Sequence, residues 1–235
     1  MKTMHAPARL VRLLLTTLGM LCAATLVWAQ AAKTSQRQSE PQRGHGRLFA
    51  PQDLGMLEGP DREAWQRPDR VMDALGIADG SVVADLGAGG GWFTIRLARR
   101  VGPNGLVYAE DIQPQMIEAI ERRVQREALK NVTTVLGSAD NPTLPESQLD
   151  VALMVDSFHE VEDTHALLTN IRSALKQGGR LGIVGFRNDG GGGPGPPIEE
   201  RIEPAQVVRA VEAAGLTFAS RDLSLPYQYL LIFVK

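Results

Sequence analysis

Between Val82 and Ala98 the chain reads VVADLGAGGGWFTIRLA, in which an acid, Asp85, stands before four glycines and a helical pattern follows. Gly87 can take backbone angles closed to other residues, and Gly89 and Gly91 bring bare main chain within contact distance of a ligand. A helix starting after Gly91 would aim unpaired N–H groups at the same spot. The spacing selects the ligand class. A dinucleotide turn reads G-x-G-x-x-G; begun at Gly87 it needs glycine at position 92, which is Trp92. The pattern is instead D-x-G-x-G-x-G, from Asp85 to Gly91. A carboxylate just before the turn repels a pyrophosphate and attracts a cation. The turn therefore points away from NAD and towards a nucleoside carrying a positive centre and an ammonium group.

Such a turn works only if it sits at the edge of a sheet, and the flanking sequence supplies one. SVVADLG reads as a short apolar strand, and GWFTIRLARRV as a helix with Phe93, Ile95, Leu97 and Val101 inward. GPNG turns into the strand LVYAED, and QPQMIEAIERRVQREAL is an amphipathic helix with Met116, Ile117, Ile120 and Val124 on one side. VTTVLG and the nearly all-apolar LDVALMVDSF are strands. THALLTNIRSALKQGG reads as a helix closed by its glycine pair, before the buried strand RLGIVGF. Upstream, Pro68 suits a helix first turn, with Val71, Met72, Leu75 and Ile77 apolar. Downstream, RNDGGGGPGPPIEERIEP is too rich in Gly and Pro for a regular element. The helix EPAQVVRAVEAAG and two strands, LTFASRDL and YQYLLIFVK, end the chain. Alternating strands and helices imply parallel pairing through right-handed crossovers, and near-continuous apolar strands imply a sheet covered on both faces. The expected fold is a doubly wound, Rossmann-like α/β sandwich. Its ligand would lie beyond the carboxyl ends of the strands.

VADLGAGGGWFTIRLA resembles the first motif of class I S-adenosylmethionine-dependent methyltransferases of the type 11/25-like group, and the likeness runs through roughly residues 82–186. VYAEDIQPQMIE is similar to the second motif of that family, in which an acid ending strand two binds both ribose hydroxyls; Asp111 occupies that place, with Glu110 the adjacent alternative. GSADNPTLPESQLDVAL resembles the third motif, which makes Asp140 the side chain for the adenine amino group and Ala139 a backbone contact. The resemblance implies a mostly parallel seven-stranded sheet with an antiparallel C-terminal strand, and S-adenosyl-L-methionine as cofactor. It implies a cofactor site made of Asp85, Gly87, Ala88, Gly89, Gly91, Glu110, Asp111, Ala139 and Asp140. His159, just past strand four, would lie above the methyl group as a base or acceptor-orienting residue, while His165 starts a helix and reads as structural. Arg201, Tyr227 and Tyr229 are candidates to frame the acceptor pocket, and the loop 188–197 to cover it. No Asn-Pro-Pro-Tyr or Asp-Pro-Pro-Tyr stretch follows strand four. This argues against amino methylation of nucleobases or glutamine and leaves a small molecule as the expected acceptor.

Length and charge agree with a single enzyme domain. The chain has 235 residues and a net charge of −2, which gives no basic footprint for nucleic acid. Its first 29 residues carry Lys2, Arg9 and Arg12, no acid, and the apolar run LLLTTLGMLCAATLVWA, the pattern of a secretory signal peptide. Export, to the periplasm, is the expectation, with an inner-membrane anchor over residues 13–29 as the alternative. Cleavage would leave no membrane insertion and would remove Cys22, the single cysteine. That excludes disulfides and thiolate metal sites, and the remaining histidines have no partner at ligand spacing, so no metal is expected. Residues 30–50 are polar and aperiodic and read as a disordered tether before a domain over 51–235. An exported nucleoside-binding module that keeps the fold without catalysis is the alternative function.

Overall fold

Strand burial orders the sheet. β1 (Val82–Leu86), β4 (Leu149–Val155) and β7 (Gln228–Val234) are buried almost throughout, whereas β3 (Val132–Leu136) and β6 (Thr217–Asp222) are more exposed, β3 half-buried and β6 mostly solvent-facing. With β2 (Leu106–Asp111) and β5 (Leu175–Phe186) they form one seven-stranded sheet in the order β3-β2-β1-β4-β5-β7-β6, the two more exposed strands at its edges. The pairs among β3, β2, β1, β4 and β5 are parallel. β7 inserts antiparallel between β5 and β6. This is the expected Rossmann-like sheet with its antiparallel last strand. The computed structural model describes residues 48–189 and 193–235, so the expected signal segment 1–29 and most of the tether lie outside the described residues. Phe49 does not: its N–H donates to the Glu160 carboxylate (3.3 Å) and its carbonyl accepts from Gln113 (3.0 Å), so folded contacts begin before Pro51.

Helices cover both faces. On one, α1 (Arg62–Gln66), α2 (Pro68–Leu75) and α3 (Trp92–Val101) precede or follow β1, and Val71, Met72, Leu75, Phe93, Leu97 and Val101 pack against Val83, Val107 and Val151. The α4 helix (Pro114–Arg126) seals β2 and β3 with Met116 and Ile120. On the other face α5 (Thr164–Ala174) and α6 (Pro204–Ala213) bury Leu167, Leu168, Ile171, Val207 and Val211 over Leu86, Ala152 and Leu181. Proline opens α2, α4 and α6, where its missing N–H costs no intrahelical bond. Among the described residues no helix is long and apolar enough to cross a membrane.

One boundary differs from the sequence reading. The helix expected to close on the Gly178–Gly179 pair stops at Ala174, and β5 begins at Leu175. Leu175 is fully buried beside Leu149, and Lys176 reaches Asp150 at 2.6 Å, which draws the chain straight into the sheet. The glycine pair then lies inside the strand at a register shift, with Gly178 at φ 77°. It makes a bulge rather than a helix cap.

Candidate active site

The glycine turn joins β1 to α3 at the carboxyl edge of the sheet. Gly87, Gly89 and Gly91 all have positive φ (65°, 55° and 76°), the left-handed region that side chains resist. Gly87 also lies so close to β4 that a Cβ there would stand 2.6 Å from the Ser157 Cβ. Above Gly89 the nearest atom to such a Cβ is Leu57 Cδ1 at 3.8 Å, so the main chain there is bare. Gly91 plays a different part from the one expected: it is the left-handed cap of α3, packed under Ile120, and does not line the cavity.

That cavity has a volume of about 730 Å³, within the usual range for ligand sites. Asp85, Gly87, Ala88, Gly89, Glu110, Asp111, Ala139 and His159 all border it, so eight of the ten expected site residues share one space. Asp111 ends β2 and is held by two backbone donors, Gly89 N–H and Gln113 N–H, each at 2.9 Å. Glu110 accepts from Gly87 N–H at 3.3 Å. Asp85 is 2% exposed and accepts from the Thr94 hydroxyl at 2.6 Å. Asp140 departs from expectation. Its side chain is exposed, accepts from the Ser138 hydroxyl at 2.8 Å and stays outside the cavity, whose rim there is Ser138 and Ala139. The tight turn Ser138–Asn141, closed by reciprocal backbone bonds, carries it away.

The acceptor side also differs in detail. Tyr229 is core, its hydroxyl bonded to the Ile202 carbonyl at 3.0 Å. Arg201 ties the Gly/Pro loop instead of facing the cavity, donating to the carbonyls of Pro196 and Arg187. Tyr227 packs edge-on against Trp65 and borders no part of the cavity. Trp65, Phe186 and the loop residues Pro194–Pro197 form that wall. Of the expected covering loop, 190–192 lie outside the described residues. His159 faces the cavity from a short turn, with Glu160 Oε1 3.8 Å from its Nε2, and burial lowers its pKa, which keeps it neutral at pH 7. His165 is exposed on α5 and does not border the cavity.

Two cavity-lining residues escaped the sequence reading. Arg62, on α1, borders the cavity with its ring-stacked guanidinium 4.3 Å over Trp92, and donates to Gln66 Oε1 and the Leu57 carbonyl. Among the described residues no carboxylate lies within ion-pair distance of it. Asp156, just past β4, is the second. The signal for both was positional only: an arginine in an amphipathic lead helix and an acid one residue beyond a buried strand.

The cavity is strongly acidic for its degree of burial. Desolvation pushes the pKa of Asp85 up to about 6, of Glu110 up to about 8, and of Asp156 and Glu160 up to about 7. Each folded pKa exceeds the unfolded value, so the folded state holds more protons and its stability declines as pH rises through these values. Thermal melts of the ligand-free protein should therefore show a lower melting temperature at pH 8 than at pH 5.5. Asp85→Asn should narrow the gap, and an unchanged gap would contradict this electrostatic reading.

This geometry suits a cationic nucleoside: bare main chain over Gly89, carboxylates at two strand ends, and a single guanidinium for an anionic group. Residues 83–179 match the family model described as a methyltransferase domain, and the sheet is that of a solved S-adenosylmethionine-dependent methyltransferase. Among particular proteins, the chain is similar to the ubiquinone/menaquinone biosynthesis C-methyltransferase of Pasteurella multocida (33% identity over 128 residues, 52% of this chain and 45% of that protein). It is also similar to a solved SAM-dependent methyltransferase from Aquifex aeolicus (27% identity, TM-score 0.76, covering 79% of this chain and 98% of that one). A phosphoethanolamine N-methyltransferase of Haemonchus contortus, solved with S-adenosyl-L-methionine, shares the fold (15% identity, TM-score 0.64, covering 80% of this chain and 57% of that one). The chain spans about half the length of the curated relatives it matches.

Proposed function

We propose that the protein transfers the methyl group of S-adenosyl-L-methionine to a small-molecule acceptor. One observation carries this reading: Asp85, Asp111, Glu110 and the Gly87–Gly89 main chain border a single cavity that also holds Arg62. The bound cofactor supplies a methyl group on a positively charged sulfur. Asp111, fixed by two backbone donors, offers its remaining lone pairs to the ribose hydroxyls. Asp85 and its neighbours favour the positive charges, and Arg62 meets the carboxylate at the amino-acid end. Ser138 and Ala139 bound the adenine side. His159 orients the acceptor. Trp65, Phe49 and Phe186 exclude water, so most of the rate gain comes from aligning acceptor and methyl group.

The relatives named as C-methyltransferases favour a carbon as the methylated atom. The charges of Lys2, Arg9 and Arg12 before an uncharged apolar run support action outside the inner membrane. The activity is tested by incubating the protein with methyl-labelled S-adenosylmethionine and fractionated metabolite extracts. Label should enter an organic-soluble small molecule, and label confined to protein or nucleic acid would refute the acceptor class. Terminal sequencing of the protein recovered from cells should begin near Gln30, whereas an intact Met1 in the membrane fraction would establish the anchored form.

Arg62 gives a sharper check. Arg62→Met should weaken S-adenosylmethionine binding roughly tenfold, the loss of a charge-assisted contact. It should leave 5′-methylthioadenosine, which lacks the amino-acid carboxylate, unaffected. Calorimetry with both ligands measures this, and equal losses would remove Arg62 from the carboxylate site.

A further inference from the structure

From Arg62 a chain of buried amides, Gln66 and Gln228, leads to Asp156, and neither amide borders the cavity. Gln66 and Gln228 are both completely buried. Arg62 Nε donates to Gln66 Oε1 at 3.1 Å, and Gln66 Nε2 donates to Gln228 Oε1 at 2.7 Å. Gln228 Nε2 then donates to both carboxylate oxygens of Asp156, at 2.8 and 2.7 Å. A guanidinium can only donate and an ionised carboxylate can only accept. The two ends therefore fix both amides in one orientation, and a flip of either would set like groups against each other. Three elements far apart in sequence, α1, β7 and the end of β4, are joined to hold one carboxylate.

That carboxylate borders the cavity, whereas Gln228 stands behind it, out of the cavity. Asp156 is also held at φ 57°, a left-handed conformation that costs a non-glycine residue on the order of 1 kcal/mol. Its N–H is bonded to the Val184 carbonyl at 3.0 Å, and the next residue, Ser157, packs on Gly87 and donates to the Leu86 carbonyl at 3.0 Å. Asp156 is thus locked against the cofactor turn on one side and open to the acceptor space on the other. Strain kept at such a position points to a role.

We propose that Asp156 is the proton acceptor of the reaction, with Gln228 and Gln66 as positioning residues, so that the acceptor is a molecule whose reacting atom carries a removable proton. This rests on the methyltransferase reading. In the step, the acceptor's X–H proton passes to the Asp156 carboxylate while the electron pair on X forms the bond to the methyl carbon. The methyl–sulfur bond breaks and its pair stays on sulfur as a neutral thioether, and the proton then leaves Asp156 to water. The charged groups acting on Asp156 are Arg62 of α1 and Arg201 of the Gly/Pro loop, both cationic. Tyr229 of β7 feels its charge in turn, and His159 and Glu160 follow it on the same segment and share the cavity. Burial, the dominant influence, pushes its pKa up to about 7, where a carboxylate both takes and releases a proton readily.

The test is a carbon-13 titration of the full chain labelled at the aspartate carboxyls, the Asp156 signal being assigned by its loss in Asp156→Asn. The signal should titrate near neutrality, and Gln228→Leu, which removes the donor to the charged form, should raise the midpoint by about one unit. Gln66→Leu should give a smaller shift in the same direction. In metabolite fractions that the wild-type protein labels, Asp156→Asn should lower transfer about 100-fold while the affinity for S-adenosylhomocysteine, to which Asp156 makes no contact, stays within about threefold. A midpoint near that of an ordinary aspartate, no shift in Gln228→Leu, or undiminished transfer by Asp156→Asn would each overturn the proposal. Failure of the wild-type protein to bind S-adenosylhomocysteine would instead bring down the methyltransferase reading, and this inference with it.

Discussion

Asp111→Ala will cost the protein about two orders of magnitude in affinity for S-adenosylmethionine and for S-adenosylhomocysteine alike. Two ribose hydroxyl bonds to one charged acceptor, each worth about 1.5–3 kcal/mol when a charge is involved, set that scale. The loss should extend to 5′-methylthioadenosine, because the ribose is common to all three. This pattern separates Asp111 from Arg62, whose removal spares the ligand without a carboxylate. The variant should fold, since Asp111 sits at the end of β2 and is bonded by loop N–H groups rather than by the core. Calorimetry with each ligand measures the effect. A variant that binds all three as tightly as wild type would transfer the ribose role to Glu110.

The second large effect concerns the turn itself. Gly87→Ala should destabilise the fold by about 3 kcal/mol, combining a left-handed backbone that costs roughly 1–2 kcal/mol with forced displacement of a neighbour. The displaced neighbour is Ser157, only 2.6 Å from the added carbon. Because Ser157 follows Asp156, the strain would pass directly to the proton-accepting side chain. Denaturant unfolding of the two proteins reports the difference. Gly89→Ala should be milder for stability, since nothing but Leu57 lies near, and harsher for ligand binding, since the added methyl stands where the ligand meets the main chain. Equal stability of Gly87→Ala and wild type would contradict the close packing of β1 on β4.

Much of this was legible in the sequence because one periodicity governed it. Apolar runs such as LDVALMV can be satisfied only inside a two-faced sheet, and the glycine turn has meaning only at its carboxyl edge. The end of α5 misled for a physical reason. A glycine pair after a helical pattern normally caps it, but the pull of buried Leu175 and the Lys176–Asp150 pair starts the strand first. Asp140 misled because its motif fixes the chain position and not the side-chain direction, which the Ser138 hydroxyl decides. Tyr229 was assigned to the pocket by type alone; strand alternation turns it into the core. Arg62, Gln66, Gln228 and Asp156 could not be grouped beforehand, since their contacts span up to 162 positions of sequence. No local pattern encodes a buried amide chain.

Isothermal titration of the full chain with S-adenosylhomocysteine, run in parallel on wild type and Asp111→Ala, goes straight to the main claim. Saturable one-to-one binding by wild type, weakened about 100-fold in the variant, is the predicted result. Absence of heat from wild type, or identical curves for the two proteins, would show that the acidic cavity over Gly89 is not a site for this nucleoside.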